Sequence, residues 1–331
     1  MHKRYSLLLT ALLLRAVLLA NIAQPGLYIA GGNGMFKPFF PEDSSAVGRI
    51  RMAREAVFIQ AYPGFAVVKG RYWMVNEGAA PVRMKTGYPL WPAEGSSDIG
   101  GLALDYRFDS LAALRVAVGG RPVSVTLGSP DPDFGRWYVW DMQFAPHDTT
   151  LIEVYFIVNT NDAMVRQGYR HKEPNAFVYV LETGASWQHP IGEGLLCLQW
   201  MDGLDWDDVD GLWPDSVYQV DEKRRLIVRR FRDLTPEPAD NLVVTYGRPL
   251  NRFDFKAIIE GSAGLYAAID GLAGSDPSEW QLSGRRFDSP FEVGGVGISW
   301  LGVSLIGMVI LPILLLFAGV WLWRKWRKGA S

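Results

Sequence analysis

Short runs in which apolar and polar residues alternate with a period of two, separated by turn residues, restrict the folds open to this chain. Ala56–Ala61 (AVFIQA), Ala66–Asn76 (AVVKGRYWMVN), Val82–Tyr88 (VRMKTGY) and Leu102–Phe108 (LALDYRF) each carry β-branched or aromatic residues on alternate positions. Tyr62-Pro63-Gly64, Glu77-Gly78 and the loop Pro89–Gly101 separate them, as expected of successive strands. Leu114–Val118, Gly119-Gly120 and Val123–Leu127 read as a hairpin closed by the glycine pair that primed turns favour. Trp137–Phe144 and Leu151–Asn159 continue the series. No amphipathic helix of useful length separates these runs. A sandwich or barrel is therefore expected, and a βαβ array is not.

Thr160–Asn175 interrupts the pattern with polar residues, and strands resume at Ala176–Glu182, Leu195–Met201, Ser216–Val220, Arg225–Phe231 and Leu242–Tyr246. The expected architecture is all-β and β-sandwich-like in two subdomains, residues 31–160 and 161–250. After Pro249, residues Phe255, Ile258, Ile259, Leu265, Ile269 and Leu272 recur at helical spacing. Residues 251–292 are thus expected to hold a short helix, broken near Gly261 and Gly264, and a connector. No repeat of 20–50 residues is visible, which speaks against a propeller or solenoid.

The two ends are apolar. Val293–Trp323 contains no charge and is followed by Arg324, Lys325, Arg327 and Lys328. A bilayer core needs roughly 20 apolar helical residues, so a transmembrane helix is expected over 296–323 with a cytoplasmic basic tail at 324–331. Trp300, Trp321, Trp323 and Trp326 fall where interfacial aromatic anchors belong. At the other end Lys3 and Arg4 precede the apolar run Tyr5–Leu14. Residues 1–23 therefore read as a signal peptide cleaved after Ala20 or Ala23, or as a retained signal anchor. Either way the chain is expected in a bacterial inner membrane, with its bulk periplasmic or extracellular and its C-terminus cytoplasmic.

Hydrophobic residues make up 49% and aromatic residues 13% of the 331 positions, enough for a packed core and incompatible with general disorder. The net charge of −2 is accompanied by no basic patch outside the C-terminal flank, so nucleic acid is not an expected partner. Cys197 is the only cysteine. An exported domain without an internal disulfide must rely on core burial, a trait that fits a bacterial envelope.

Motifs for chemistry are sparse. His147, His171 and His189 stand singly, with no metal-ligand spacing, and there is no Gly-x-Ser-x-Gly elbow, Walker loop or dinucleotide fingerprint. No cofactor, metal or catalytic residue is assigned. The one local acidic cluster is Asp202, Asp205, Asp207, Asp208, Asp210 and Asp215. Oxygen-rich loops bind calcium, but counted from Asp205 the twelfth position is Ser216 rather than Glu. The expectation is a solvated loop, with a cation site or, given Trp206 and Trp213, an aromatic ligand rim as alternatives. Among the 13 tryptophans, Trp73, Trp137 and Trp140 read as core or sheet-face residues. Exposure of Trp91, Trp187, Trp206 or Trp213 would favour carbohydrate or protein binding.

Two stretches resemble a class of exported, membrane-associated bacterial β-rich proteins. One is Ile50–Leu90, with MAREAVFIQ, VVKGRYWMVNEG and VRMKTGYPL; the other is Tyr179–Gly194, YVLETGASWQHPIGEG. The resemblance implies fold and compartment and assigns no catalytic position. The expected function is a binding or structural module that meets an envelope protein or polymer. The alternative is a polysaccharide- or peptidoglycan-processing hydrolase using paired carboxylates such as Glu182, Asp202 or Asp205.

Overall fold

The strand Ile50–Tyr62 (β1) is apolar at both parities over its second half, because both of its faces are covered. Val57 and Ile59 join one hydrophobic cluster, whereas Ala56 and Phe58 join another. Tyr62 and Phe65 close a tight hairpin through Pro63 and Gly64, whose φ of +84° suits glycine, into Phe65–Asn76 (β2). The computed structural model describes residues 26–29, 31–34, 37–39, 47–89, 95–99, 102–106, 111–128, 137–161, 163–167, 170–187 and 189–291.

These two strands centre a nine-stranded sheet. Its other members are Leu111–Val118 (β3), Arg121–Pro122 (β4), Thr149–Asn159 (β5), Ile191–Trp200 (β6), Val217–Asp221 (β7), Leu226–Leu234 (β8) and Leu282–Arg286 (β9). The order is β4-β3-β5-β2-β1-β6-β8-β7-β9, antiparallel throughout except where β1 runs parallel to β6. One face packs against two four-stranded sheets. Tyr88, Trp140 and Phe144 from one of them, and Phe177, Tyr179, Leu242 and Val244 from the other, enter the larger cluster beside Val57, Tyr72 and Phe156. The opposite face carries helices Phe255–Glu260 (α1) and Ser262–Ala273 (α2). Tyr266, Ile269 and Leu272 of α2 bury Phe58, Val67, Ile157 and Cys197 beneath them. Each such large apolar side chain contributes roughly 1.5–3 kcal/mol on burial.

The mostly β architecture matches the reading of the sequence, as does a short helical segment interrupted at Gly261. Three features correct it. The expected boundary at 160–161 is not structural: the main sheet joins β1, β2, β3 and β5 to β6, β7 and β8, and the described residues through Phe291 belong to one compact unit. The expected return strand Val123–Leu127 is not one strand: β4, which pairs with β3, ends at Pro122, and Thr126–Gly128 pairs with Trp137–Phe144 in a different sheet. The described structure also lacks the membrane helix included in the expected fold: among the described residues no helix is long and apolar enough to cross a membrane. Residues 1–23 and 296–331, with the aromatic and basic positions Trp300, Trp321, Trp323, Arg324, Lys325, Trp326, Arg327 and Lys328, lie outside the described residues.

Candidate functional site

The helices cover only part of their face of the main sheet, and the register shows what lies beyond them. Glu193 on β6 stands opposite Arg54 on β1 and Arg232 on β8. One pleat further along the same face, Leu195 stands opposite Ala56 and Arg230. Trp73 on β2 extends the first row, opposite Arg54. Alternation along each strand puts these side chains on the helix side, because Ala56, Leu195 and Val228 already pack under α2.

Local backbone features place this row. The β1–β2 register slips between Met52 and Arg54, a bulge of the kind that re-aims a side chain. Gly192 lets the bulge approach: a Cβ there would lie 2.5 Å from the carbonyl oxygen of Ala53. On the far face of β6, the Phe231 ring lies where a side chain at Gly194 would project. Glu193 is thus presented between two glycines that close packing requires.

The result is a cleft of about 500 Å³ walled by Arg54, Glu193, Arg230, Arg232 and Pro277, with Leu195 among its lining residues. The Arg54 guanidinium stacks over Trp73, 4.7 Å from the ring centroid, and Arg71 lies 5.1 Å from the same ring. Arg230 donates to Gln219 Oε1 at 2.7 Å. Arg232 approaches Glu193 at 3.5 Å, but these side chains are 80% and 58% exposed, so their mutual attraction is weak. Nearer the helices the cations are better neutralised. Lys69 meets Asp270 at 2.6 Å and Glu153 at 3.1 Å, and Arg71 meets Glu153 at 3.5 Å.

Glu55, next to Arg54 in the chain and also bordering the cleft, is wholly buried. Its Oε1 accepts from Tyr179 at 2.7 Å, whereas Oε2 has no hydrogen-bond partner among the described residues. Tyr179 and Tyr72 share a hydrogen bond of 3.1 Å, and Tyr72 and Tyr88 one of 3.2 Å. The chain of hydroxyls joins the main sheet to both four-stranded sheets. Burial pushes the Glu55 carboxyl up to about 7, against the lowering pull of the Tyr179 hydrogen bond.

The acidic residues singled out in the sequence do local structural work. Asp205 and Asp208 reciprocally cap the short 3₁₀ turn Trp206–Asp208, with Asp205 Oδ1 accepting from Trp206 N at 2.7 Å and Asp208 Oδ2 from Asp205 N at 2.9 Å. Asp202 occupies a left-handed turn position at φ +47°, and Asp207 and Asp210 are exposed. Among the described residues no three His, Cys, Asp or Glu side chains converge to hold a metal ion. Glu182 lies elsewhere, in the 3₁₀ segment Leu181–Ser186. His147 occupies a turn at φ +50°, and His189 bonds the Gly48 carbonyl at 3.0 Å. Trp187 is buried; Trp206 stacks near Phe287 and Arg285, and Trp213 meets Phe291 edge-on. Trp91 lies outside the described residues.

Sequence reasoning missed Arg54, Arg230 and Arg232. Their signal was present on β8, where Leu226 and Val228 are followed at the same parity by Arg230 and Arg232. An apolar face there turns cationic within one strand.

The chain is similar in structure to a Legionella pneumophila protein described provisionally as nutrient binding. Identity is 17% and the TM-score 0.45, over 66% of this chain and 72% of that one. It is also similar to an M1 zinc metallopeptidase of Deinococcus radiodurans, with 11% identity, a TM-score of 0.32, and coverage of 59% of this chain and 42% of the other. Yeast LTA4 hydrolase gives 9% identity and a TM-score of 0.32, over 60% of this chain and 29% of the other. The chain thus spans less than half the length of either enzyme. No family model and no curated protein matches it. Overlaps this partial leave function to the geometry of the site.

Proposed function

We propose that this protein is a binding module and that the cleft between Arg54 and Arg230 is its ligand site. One observation carries the reading: three arginines and a single exposed carboxylate, Glu193, converge on a concavity of about 500 Å³, within the range of small-molecule sites. A glycoside hydrolase of the paired-carboxylate kind would need two carboxylates that both reach substrate. Glu55, the second carboxylate bordering the cleft, is enclosed and hydrogen-bonded to Tyr179, which favours binding over that alternative. The secretory pattern of residues 1–23 supports a setting outside the cytoplasm.

Thermal denaturation of the full-length chain tests this. The probes are a hexose, an amino acid, a tripeptide, citrate and inorganic phosphate, each compared on wild type and Glu193→Trp. The substitution puts an indole into the cleft from an exposed position. At least one probe is expected to raise the wild-type melting temperature and to lose that effect in the variant, since a native-state ligand stabilises by mass action. Stabilisation by none, or stabilisation equal in both proteins, would overturn the assignment.

A further inference from the structure

We infer that the cleft selects a small anion bearing carboxylate or phosphate groups, an inference that rests on the cleft being the ligand site. Charge balance points there. On this face of the sheet Lys69 has two carboxylate partners and Arg71 has one, so the helix-covered part is internally compensated. In the cleft Arg54 stacks on the Trp73 ring, Arg230 bonds a neutral amide, and Arg232 shares the exposed Glu193. Three positive charges therefore face one exposed negative charge, the other bordering carboxylate, Glu55, being enclosed and hydrogen-bonded to Tyr179, in a chain whose overall net charge is −2.

The arrangement is also prepared for an anion. Stacking on Trp73 and hydrogen bonding to Gln219 orient Arg54 and Arg230 before any ligand arrives, which reduces the ordering cost of binding. Guanidinium groups present two parallel N–H donors to a carboxylate or phosphate. Arg54 and Arg232 lie two strands apart, about 10 Å at the backbone given a strand spacing of 4.7–4.9 Å. Their long side chains flank Glu193 from both sides. A ligand carrying two or more anionic oxygens could engage both flanks while Leu195 and Pro277 contact its apolar part. Glu193 opposes any such ligand and limits its affinity, so its removal should act in the opposite direction to removal of an arginine.

Calorimetric titration of the full-length chain with inorganic phosphate and, separately, citrate tests the inference, with a neutral hexose as control. Arg54→Gln and Arg230→Gln should each weaken anion binding by about tenfold, equivalent to about 1.4 kcal/mol. Glu193→Gln, close to isosteric at an exposed position, should tighten it severalfold. Raising the salt concentration should weaken binding in all proteins, as screening requires. The two anions distinguish phosphate from carboxylate preference. Binding of the hexose, lost in Glu193→Trp, without binding of either anion would overturn the anion inference and leave the ligand site standing. Anion binding unaffected by all three substitutions, or no binding of any probe, would overturn both.

Discussion

Glu55 shows how one residue links the core to the cleft. Its carboxyl is buried with a single hydrogen bond, and burial raises it from 4.5 to about 7. The folded protein therefore holds this proton through a pH range in which the unfolded chain releases it. The sign follows directly: the stability contribution is fully present below about 4.5 and is lost as pH rises through about 7. With 1.36 kcal/mol per unit, the loss is on the order of 3 kcal/mol. Urea denaturation between pH 5 and 8 should show stability falling with pH, and Glu55→Gln should flatten that slope because an amide does not titrate. A slope retained in the variant would place the titration elsewhere. Periodicity alone could not single this residue out. In MAREAVFIQ, Glu55 shares its parity with Val57 and Ile59, but its partner Tyr179 comes from a strand 124 residues away.

At the scale of elements, the site depends on the fit between the β1 bulge and the Gly192-Glu193-Gly194 segment of β6. Gly192→Ala would bring a Cβ against the Ala53 carbonyl oxygen, at 2.5 Å before relaxation. Backbone there cannot swing aside as a flexible side chain would. Overpacking of this kind costs about 1–3 kcal/mol. The variant should therefore melt at lower temperature, and anion titration should show weaker binding because the bulge that aims Arg54 has moved. Unchanged stability and binding would mean that the bulge does not set the site. The segment IGEG was conspicuous in the sequence as part of a resemblance to exported β-rich proteins, although nothing in it announced a binding role. That role depends on its pairing: parallel to β1 on one side and antiparallel to β8 on the other. Such pairing is non-local. The helix is a contrast, since its spacing was legible from Phe255 to Leu272 and the structure has α1 and α2 there. Helical periodicity is carried by neighbouring residues.

For the whole molecule, the alternating runs identified strands well and their grouping poorly. The polar stretch at 160–175 looked like a domain boundary. The chain instead returns to the main sheet after it, and β6 pairs beside β1. The cleft follows from that return, since its walls come from β1, β6 and β8 and from Pro277, residues distributed from 54 to 277. No short motif could have encoded it. What the sequence did carry was the change from apolar to cationic residues along β8, which becomes meaningful once α2 is seen to cover Val228 and stop short of Arg230. The most direct test follows the arginine side-chain Nε–Hε resonances of the full-length chain during separate titrations with inorganic phosphate and with citrate. The account predicts saturable shifts for Arg54, Arg230 and Arg232 with at least one of the two anions, with Arg115, Arg224 and Arg229 unmoved. Shifts that are absent with both anions, or that spread over all six without saturating, would contradict it.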